Sequence, residues 1–165
     1  MSEKLVIVPR KQTGNAKVIN IVIFILTCVL LLLATFIAPG IFFIPGLITA
    51  GIWIWRSYFS YVEYEYTYFD GELRMAKIKN KAKRKNIAEV NMEEVLTIAP
   101  KGDRSVYKYE NDKSCKYKDL TSGDKNAKVY ELIFKSEKGT CRYEFEPDEE
   151  MLDAIRVKYP RSVVK

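Results

Sequence analysis

The feature that most constrains this chain is an apolar stretch from Val18 to Trp55 that contains no Asp, Glu, Lys or Arg. A single bilayer crossing takes about 20 apolar residues, because a helix rises about 1.5 Å per residue and the hydrocarbon core is about 30 Å thick. This stretch is nearly twice that length. Near its middle stand Pro39-Gly40 and Pro45-Gly46, residue pairs that end or bend helices. We therefore expect a two-helix transmembrane hairpin over residues 18–60.

The two crossings are expected at about residues 18–37 and from Phe42 or Pro45 to Ser60, joined by a short uncharged turn near residues 38–40. The second crossing is the less uniform, because small residues interrupt it and offer a surface for close packing on the first helix. These small residues are Gly46, Thr49, Ala50 and Gly51.

Basic residues flank the apolar stretch and predict its orientation. Residues 1–17 hold four basic residues and one acidic residue, and Arg56 follows the stretch. Because Lys and Arg accumulate on the cytoplasmic side of membrane segments, we expect a multi-pass protein of the cell membrane with both termini in the cytoplasm. The predicted units are a cytoplasmic N-terminal segment (1–17), the hairpin (18–60) and a cytoplasmic domain (61–165).

Aromatic residues near the end of the second crossing are typical of a membrane interface, where amphipathic rings lie at the level of the headgroups and Arg reaches out to them. The predicted interface anchors are Trp53, Trp55, Arg56 and Tyr58.

The absence of histidine from the whole chain excludes His-containing metal sites, a His general base and a His pH switch. Cys115 and Cys141 show no CxxC spacing, and a cytoplasmic location favours free thiols over a disulfide. We therefore expect no metal and no cofactor.

The first segment after the hairpin changes to an alternating pattern. Residues 62–68 read VEYEYTY, which predicts a strand with one buried face, and Asp70-Gly71 then predicts a type I′ turn. Such a turn pairs Tyr68 with Leu73, Tyr66 with Met75 and Thr67 with Arg74.

A basic cluster follows this turn, since residues 74–85 hold seven basic residues and no acidic one. Its lysines share the sequence parity of Leu73 and Met75, so either the buried face ends near Met75 or a β-bulge shifts the register. The cluster is either a solvated strand edge that lysine protects from aggregation or a binding patch for anionic groups. The candidate binding residues are Arg74, Lys77, Lys79, Lys81, Lys83, Arg84 and Lys85.

The remaining pattern predicts five more strands and one helix. The strands are expected at about residues 85–90, 95–99, 114–120, 128–135 and 141–145, and Asn91 is expected to cap one short helical turn over residues 91–94. A helix is predicted between Pro147 and Pro160, because acids fill its first turn and bases its last. The expected fold class is α+β, with about seven strands in meander order before a C-terminal helix.

This order of elements resembles that of small bacterial membrane proteins that carry a pleckstrin-homology-like (PH-like) domain on the cytoplasmic side. The resemblance rests on the segments YEYTYFDGELRMAKI, RKNIAEVNMEEVLTI and DEEMLDAIRVKY. It implies a small β-barrel of about seven strands with the C-terminal helix at one end. It also implies a binding surface formed by loops at the other end.

The function expected from these features is non-catalytic. The cytoplasmic domain is expected to bind either a protein partner, such as another membrane protein, or the anionic inner-leaflet surface of the lipid bilayer. The alternative is a structural subunit of a larger membrane complex for transport or envelope assembly.

Nucleic-acid binding is not expected, because it does not need a transmembrane hairpin. An enzyme is disfavoured, because its candidate carboxylates fit strand alternation and solvation better than a cleft: Glu63, Glu65, Glu93 and Glu94.

Overall fold

The structure is a computed structural model that describes residues 3–11, 14–59, 61–112, 114–137 and 139–164. The chain divides into two units. Residues 11–61 form a helical hairpin, and a unit that we call the head combines residues 1–10 with residues 62–165.

The helical hairpin consists of α1 (Gly14–Phe36) and α2 (Pro39–Phe59), which confirms the predicted pair of apolar helices. Pro39 opens α2, because the fixed φ of proline suits the first helical position and its missing N–H would have no partner there. Pro45 therefore lies inside α2, and the predicted start at Phe42 or Pro45 was late. Ser60, the predicted end of the second helix, lies outside the described residues.

Small residues let α1 and α2 approach each other. Gly46 is buried, and a Cβ added to it would lie 2.8 Å from Leu31 Cδ2. Gly51, which the sequence analysis placed on the same packing face, is exposed and has open space around it. The rings of Phe24 and Trp53 also meet across the hairpin, with centroids 5.1 Å apart.

The first sheet of the head is antiparallel and has the order β1-β2-β3-β4. Its strands are β1 (Lys4–Pro9), β2 (Val62–Phe69), β3 (Glu72–Lys79) and β4 (Lys83–Asn91). The sequence analysis did not predict β1, although Leu5, Ile7 and Pro9 alternate with inward-facing Val6 and Val8. The helical hairpin is thus an insertion between the first two strands of one sheet.

The β2–β3 hairpin confirms the predicted register, since Tyr68 pairs with Leu73 and Tyr66 with Met75. Asp70 and Gly71 have φ of 47° and 91°, as a type I′ turn requires. The buried face of β3 ends at Met75, because the next residue on that face is the half-buried Lys77, and Ala76 lies on the opposite face. A bulge is present as well, on β4.

The bulge arises because Met75 pairs with Ala88 while Ala76 pairs with Asn86. Ile87 is therefore the extra residue on β4. Beyond it, the lysines of β3 and β4 remain opposite one another.

The second sheet has the order β5-β7-β8-β6. Its strands are β5 (Val95–Pro100), β6 (Lys116–Asp119), β7 (Tyr130–Ser136) and β8 (Gly139–Phe145). β6 pairs in parallel with β8 at the edge, so the predicted meander order is wrong here. Residues Tyr107–Glu110 form a single helical turn, α3, in the segment before β6.

The predicted closed barrel of about seven strands is not seen. Within the described part of the chain, eight strands form two four-stranded sheets. The sheets stay separate because, among those residues, neither edge strand of the first sheet, β1 or β4, pairs with an edge strand of the second, β5 or β6.

The core of the head lies between the two sheets and α4 (Glu149–Lys158). Asp148 caps α4 by accepting a hydrogen bond from Met151 N, and Asn91 caps the short helical turn Met92–Glu94 by accepting one from Glu93 N. The inner face of α4 is buried, as its spacing predicts. The largest fully buried side chains include Tyr66, Phe145, Leu73, Met75, Met92, Ile98, Leu132, Met151 and Ile155.

Candidate functional site

The β3–β4 hairpin carries the predicted basic patch and divides it between the two faces of the sheet. Lys77 pairs with Lys85, and Lys79 pairs with Lys83. Side chains alternate along a strand, so these four lysines extend the face that carries Tyr64 and the core. We call this the inner face. Lys81 lies in the connecting turn and is exposed.

The two arginines of the predicted patch lie on the outer face and are neutralised there. Arg74 forms ion pairs of 2.8 Å with both Glu72 and Glu89, and Arg84 is paired with Glu65. The structure therefore does not bring Arg74 and Arg84 together with the lysines of the inner face.

The inner-face lysines have a different environment. Among the described residues, no ion pair of the structure involves Lys77, Lys79, Lys83 or Lys85. Partial burial lowers the pKa of Lys77, and the neighbouring charges of Lys79, Arg10 and Lys85 lower it further. This end of the sheet thus carries several positive charges that few acidic side chains of the head neutralise.

Arg10 lies beside the lysines and orders the surrounding groups. Its Nη1 donates to the Tyr64 hydroxyl at 2.5 Å, and its Nη2 forms a 2.9 Å ion pair with Asp119 Oδ2. Burial alone would raise the pKa of Asp119, but hydrogen bonds from Thr121 and the charge of Arg10 lower it. The Asp119 carboxylate is therefore ion-paired with Arg10 and hydrogen-bonded by Thr121.

A cleft of about 350 Å³ opens between the two sheets at this position. Lys77 lies over the Tyr64 ring, with Nζ 5.8 Å from the centroid, and Lys118 of β6 enters from the second sheet. Lys118 Nζ is 5.0 Å from the centroid of Tyr143. The cleft is lined by Tyr64, Lys77, Lys85, Asn86, Ile87, Lys118, Asp119 and Leu120.

Sequence reasoning missed three of the residues that build this region. Arg10 was assigned only to membrane orientation, yet the alternation of Val6, Val8 and Arg10 is a strand signal that points Arg10 inward. Tyr64 was recognised only as a core residue. Lys118 had no signal, because only the parallel pairing of β6 with β8 brings it to the cleft.

The predicted interface anchors lie in the last turns of α2. Trp55 and Tyr58 are exposed, whereas Trp53 packs on Phe24. Arg56 Nε donates to Asn20 Oδ1 at 3.2 Å, which joins α2 to α1. Their role at a membrane interface stays a prediction.

The four candidate carboxylates are not assembled into one site. Glu65 is paired with Arg84 on the outer face, and Glu63 lies near the first residue of β2. Glu93 and Glu94 follow β4 at the opposite end of the same sheet, where Asn91 pairs with Glu72.

Metal-binding clusters and disulfides are likewise not found in the part of the chain that the structure describes. Among those residues, no three His, Cys, Asp or Glu side chains lie close enough together to hold a metal ion. Cys28, Cys115 and Cys141 are free thiols.

Comparison with known proteins gives one family. The family model described as "Bacterial PH-like domain (DUF6106)" matches residues 3–165, which include β1, both apolar helices and the rest of the head. No curated protein and no solved structure matches the chain.

Proposed function

Since the chain belongs to the family described as Bacterial PH-like domain (DUF6106), we propose that it is a membrane-anchored, non-catalytic module whose head binds the anionic surface of the cytoplasmic leaflet. The observation that carries this proposal is the cluster of inner-face lysines at the end of the first sheet that continues into the two apolar helices.

The two helices support the membrane anchor. Gly14–Phe36 and Pro39–Tyr58 are long and apolar enough to cross a bilayer. A core helix of a soluble protein is mostly buried, but only 11% and 6% of the 18-residue apolar segments of these two helices is buried. Lipid is the solvent that best suits so much exposed apolar surface.

The pairing of β1 with β2 supports the topology. Arg10 N donates to Val62 O at 2.8 Å, so the chain leaves the head and returns to it at neighbouring positions. Because β1 and β2 belong to one sheet, both must lie on the same side of the membrane, and the helices between them must cross it an even number of times. The flanking basic residues support the cytoplasm as that side.

The same pairing supports surface binding. Val62 pairs with Lys79, and Lys79 pairs with Lys83, so the lysines lie at the end of the sheet where the connections to the helices begin. Only residues 10–13 and 60–61 separate the strands from the helices. The shortness of these connections supports the proposal that the lysines act at the bilayer that anchors the helices.

The test is photo-crosslinking of the full chain in lipid nanodiscs, with benzoylphenylalanine in place of Ala82 in the β3–β4 turn. Each lysine near an anionic surface contributes roughly 1 kcal/mol. We therefore expect several times more lipid adduct in discs that contain phosphatidylglycerol than in discs of phosphatidylcholine alone. The double variant Lys79→Glu, Lys83→Glu should lose this difference.

The matched control is Lys125→Glu with Lys135→Glu, which makes the same change in net charge at exposed lysines away from the β3–β4 hairpin. The control should keep the dependence on phosphatidylglycerol. Adduct formation that ignores lipid charge, or that survives reversal of Lys79 and Lys83, would contradict leaflet binding and favour a protein partner instead.

A further inference from the structure

The cleft between the sheets brings together three ammonium groups from three strands. Lys77 and Lys85 face each other directly across β3 and β4, and Lys118 reaches the same space from β6 of the other sheet. Like charges directly opposite each other in a sheet are destabilising. A ligand that carries the opposite charge would remove this cost.

The carboxylate in the cleft lining does not neutralise these lysines. Asp119 Oδ2 is paired with Arg10 at 2.9 Å, and its Oδ1 accepts from Thr121 N and Oγ1 at 2.9 and 2.7 Å. Partial burial lowers the pKa of Lys77 most, and the positive charges of Lys79, Arg10 and Lys85 lower it further. The lysines that line the cleft therefore carry positive charge that Asp119 does not neutralise.

The other groups in the lining suit an ester of modest size. The Tyr64 hydroxyl accepts a hydrogen bond from Arg10, which does not use the proton of the hydroxyl itself. Asn86 adds an amide, and the side chains of Ile87 and Leu120 form apolar walls. Pockets for small ligands combine apolar walls with a few converging polar groups and begin at about 300 Å³. The cleft, at about 350 Å³, is at the small end of that range.

We propose that this cleft is a specific binding site for a phosphate monoester, the terminal dianionic group that phosphatidic acid and free glycerol 3-phosphate share. A dianion interacts with each of the three lysines about twice as strongly as a monoanionic phosphodiester at the same distance. This inference deepens the proposed function, because it names a ligand class for the same lysine-rich end of the first sheet. It rests on the proposal that this end of the sheet binds anionic groups.

The test measures binding of glycerol 3-phosphate to the full chain in micelles of an uncharged detergent by calorimetry. The diester glycerophosphoglycerol serves as the competitor, at equal ionic strength. We expect the monoester to bind and the diester to bind at least about tenfold more weakly. Lys85→Gln and Lys118→Gln should each weaken monoester binding about tenfold, the effect of losing one hydrogen bond to a charged group.

Two lysines outside the inner-face cluster provide matched controls. Lys116 lies on β6, the strand that carries Lys118, and Lys135 lies on β7; both are exposed, and neither lines the cleft. Lys116→Gln and Lys135→Gln should change monoester affinity less than about twofold, and thermal unfolding of all four variants would establish that each is folded. Equal losses in all four variants, equal affinity for the diester, or no monoester binding would overturn the proposal.

A second arm identifies the source of the monoester. Native mass spectrometry of the same micelles would compare retention of phosphatidic acid with that of phosphatidylglycerol. Retention of phosphatidic acid that depends on Lys118 identifies a lipid ligand. Monoester binding in calorimetry without such retention identifies a soluble one.

Failure of this inference is distinguishable from failure of the proposed function. The crosslinking test uses only lipids with phosphodiester headgroups, whereas calorimetry uses a soluble ligand without a lipid surface. Loss of one result therefore leaves the other standing.

Discussion

At the scale of single residues, the largest departure from the sequence analysis is the burial of charge. Glu131 is fully buried and Glu144 nearly so, although alternation along β7 and β8 assigns them to a polar face. The segment that contains Val106 and α3 covers that face and forms a small second core with Ala99 and Ile133. Sequence periodicity identifies the two faces of a strand, but it cannot show that a distant loop covers the polar one.

Arg142 compensates this buried charge, and its removal is the first prediction. Its Nε and Nη2 are 2.9 and 3.2 Å from the two carboxylate oxygens of Glu131. Breaking a buried pair by removing one partner leaves an uncompensated charge, at a cost of about 3–5 kcal/mol. We expect Arg142→Met to lower the free energy of unfolding of the full chain by about that amount in denaturant titration.

The pH dependence of the Arg142→Met variant gives a sharper signature. Burial raises the pKa of Glu131, so between its ordinary and its folded pKa the native state binds more protons than the unfolded state. The free energy of unfolding then falls as pH rises through that window. Because Arg142 lowers the pKa of Glu131, its loss widens this pH range. The variant should therefore regain stability as pH falls, and adding Glu131→Gln should abolish that gain. An Arg142→Met variant with wild-type stability at neutral pH would contradict this role.

At the scale of elements, the predictable features are local and the missed ones are not. Asp70-Gly71 and the flanking alternation are enough to predict the β2–β3 register, because a two-residue turn determines which residues face each other. The inner-face lysines were also predictable, since they share one parity. The position of β6 was not, because its parallel pairing with β8 joins residues about 25 positions apart in the sequence, with β7 between them. Lys118 therefore could not be assigned to the site.

The packing of α1 on α2 gives a second prediction, at Gly46. A valine there would place its side chain against Leu31, where a Cβ alone already meets Cδ2 at 2.8 Å and Cγ at 3.3 Å. Overpacking of this kind costs about 1–3 kcal/mol. We expect Gly46→Val to lower the thermal stability of the helical hairpin in detergent micelles, measured by helical circular dichroism.

Gly51→Val is the matched control for Gly46→Val. It makes the same substitution in the same helix at a position with open space around it. It should change the midpoint little. Equal destabilisation by both variants would show that valine in α2 matters and that contact with Leu31 does not.

At the scale of the whole molecule, the head is assembled from the two segments that flank a long insertion, the helical hairpin. β1 contributes six residues from before the helices and pairs with β2 along its whole length. It also contacts α4, where Lys4 forms a 2.7 Å ion pair with Glu150. The sequence analysis assigned residues 1–17 to a separate segment, because the apolar stretch separates them from every other strand signal.

This arrangement predicts how a soluble head can be made. A chain that starts at Tyr61 lacks β1, exposes the edge of β2 and loses the buried Val8, a side chain that contributes about 1.5–3 kcal/mol. Joining Arg10 to Val62 through a two- to four-residue Gly-Asn turn instead should give a soluble, cooperatively folding protein. Size-exclusion chromatography and thermal unfolding would compare the two chains.

The outcome of that comparison is decided by β1. We expect the chain that starts at Tyr61 to aggregate or to unfold at a clearly lower temperature than the joined chain. Equal stability of the two chains would mean that the pairing of β1 with β2 contributes little to the head.

The insertion between β1 and β2 also sets the order of events during biosynthesis. A ribosome releases Lys4–Pro9 first, yet their partner strand emerges only after both apolar helices have been made. Bringing such distant segments together by chance carries a loop-closure cost that grows with the logarithm of loop length. Because α1 and α2 run antiparallel, they bring the start of β2 back near the end of β1 and so lower this loop-closure cost. Under the proposed membrane anchoring, the hairpin therefore enters the bilayer before the first sheet is completed, because β2 is made only after both helices.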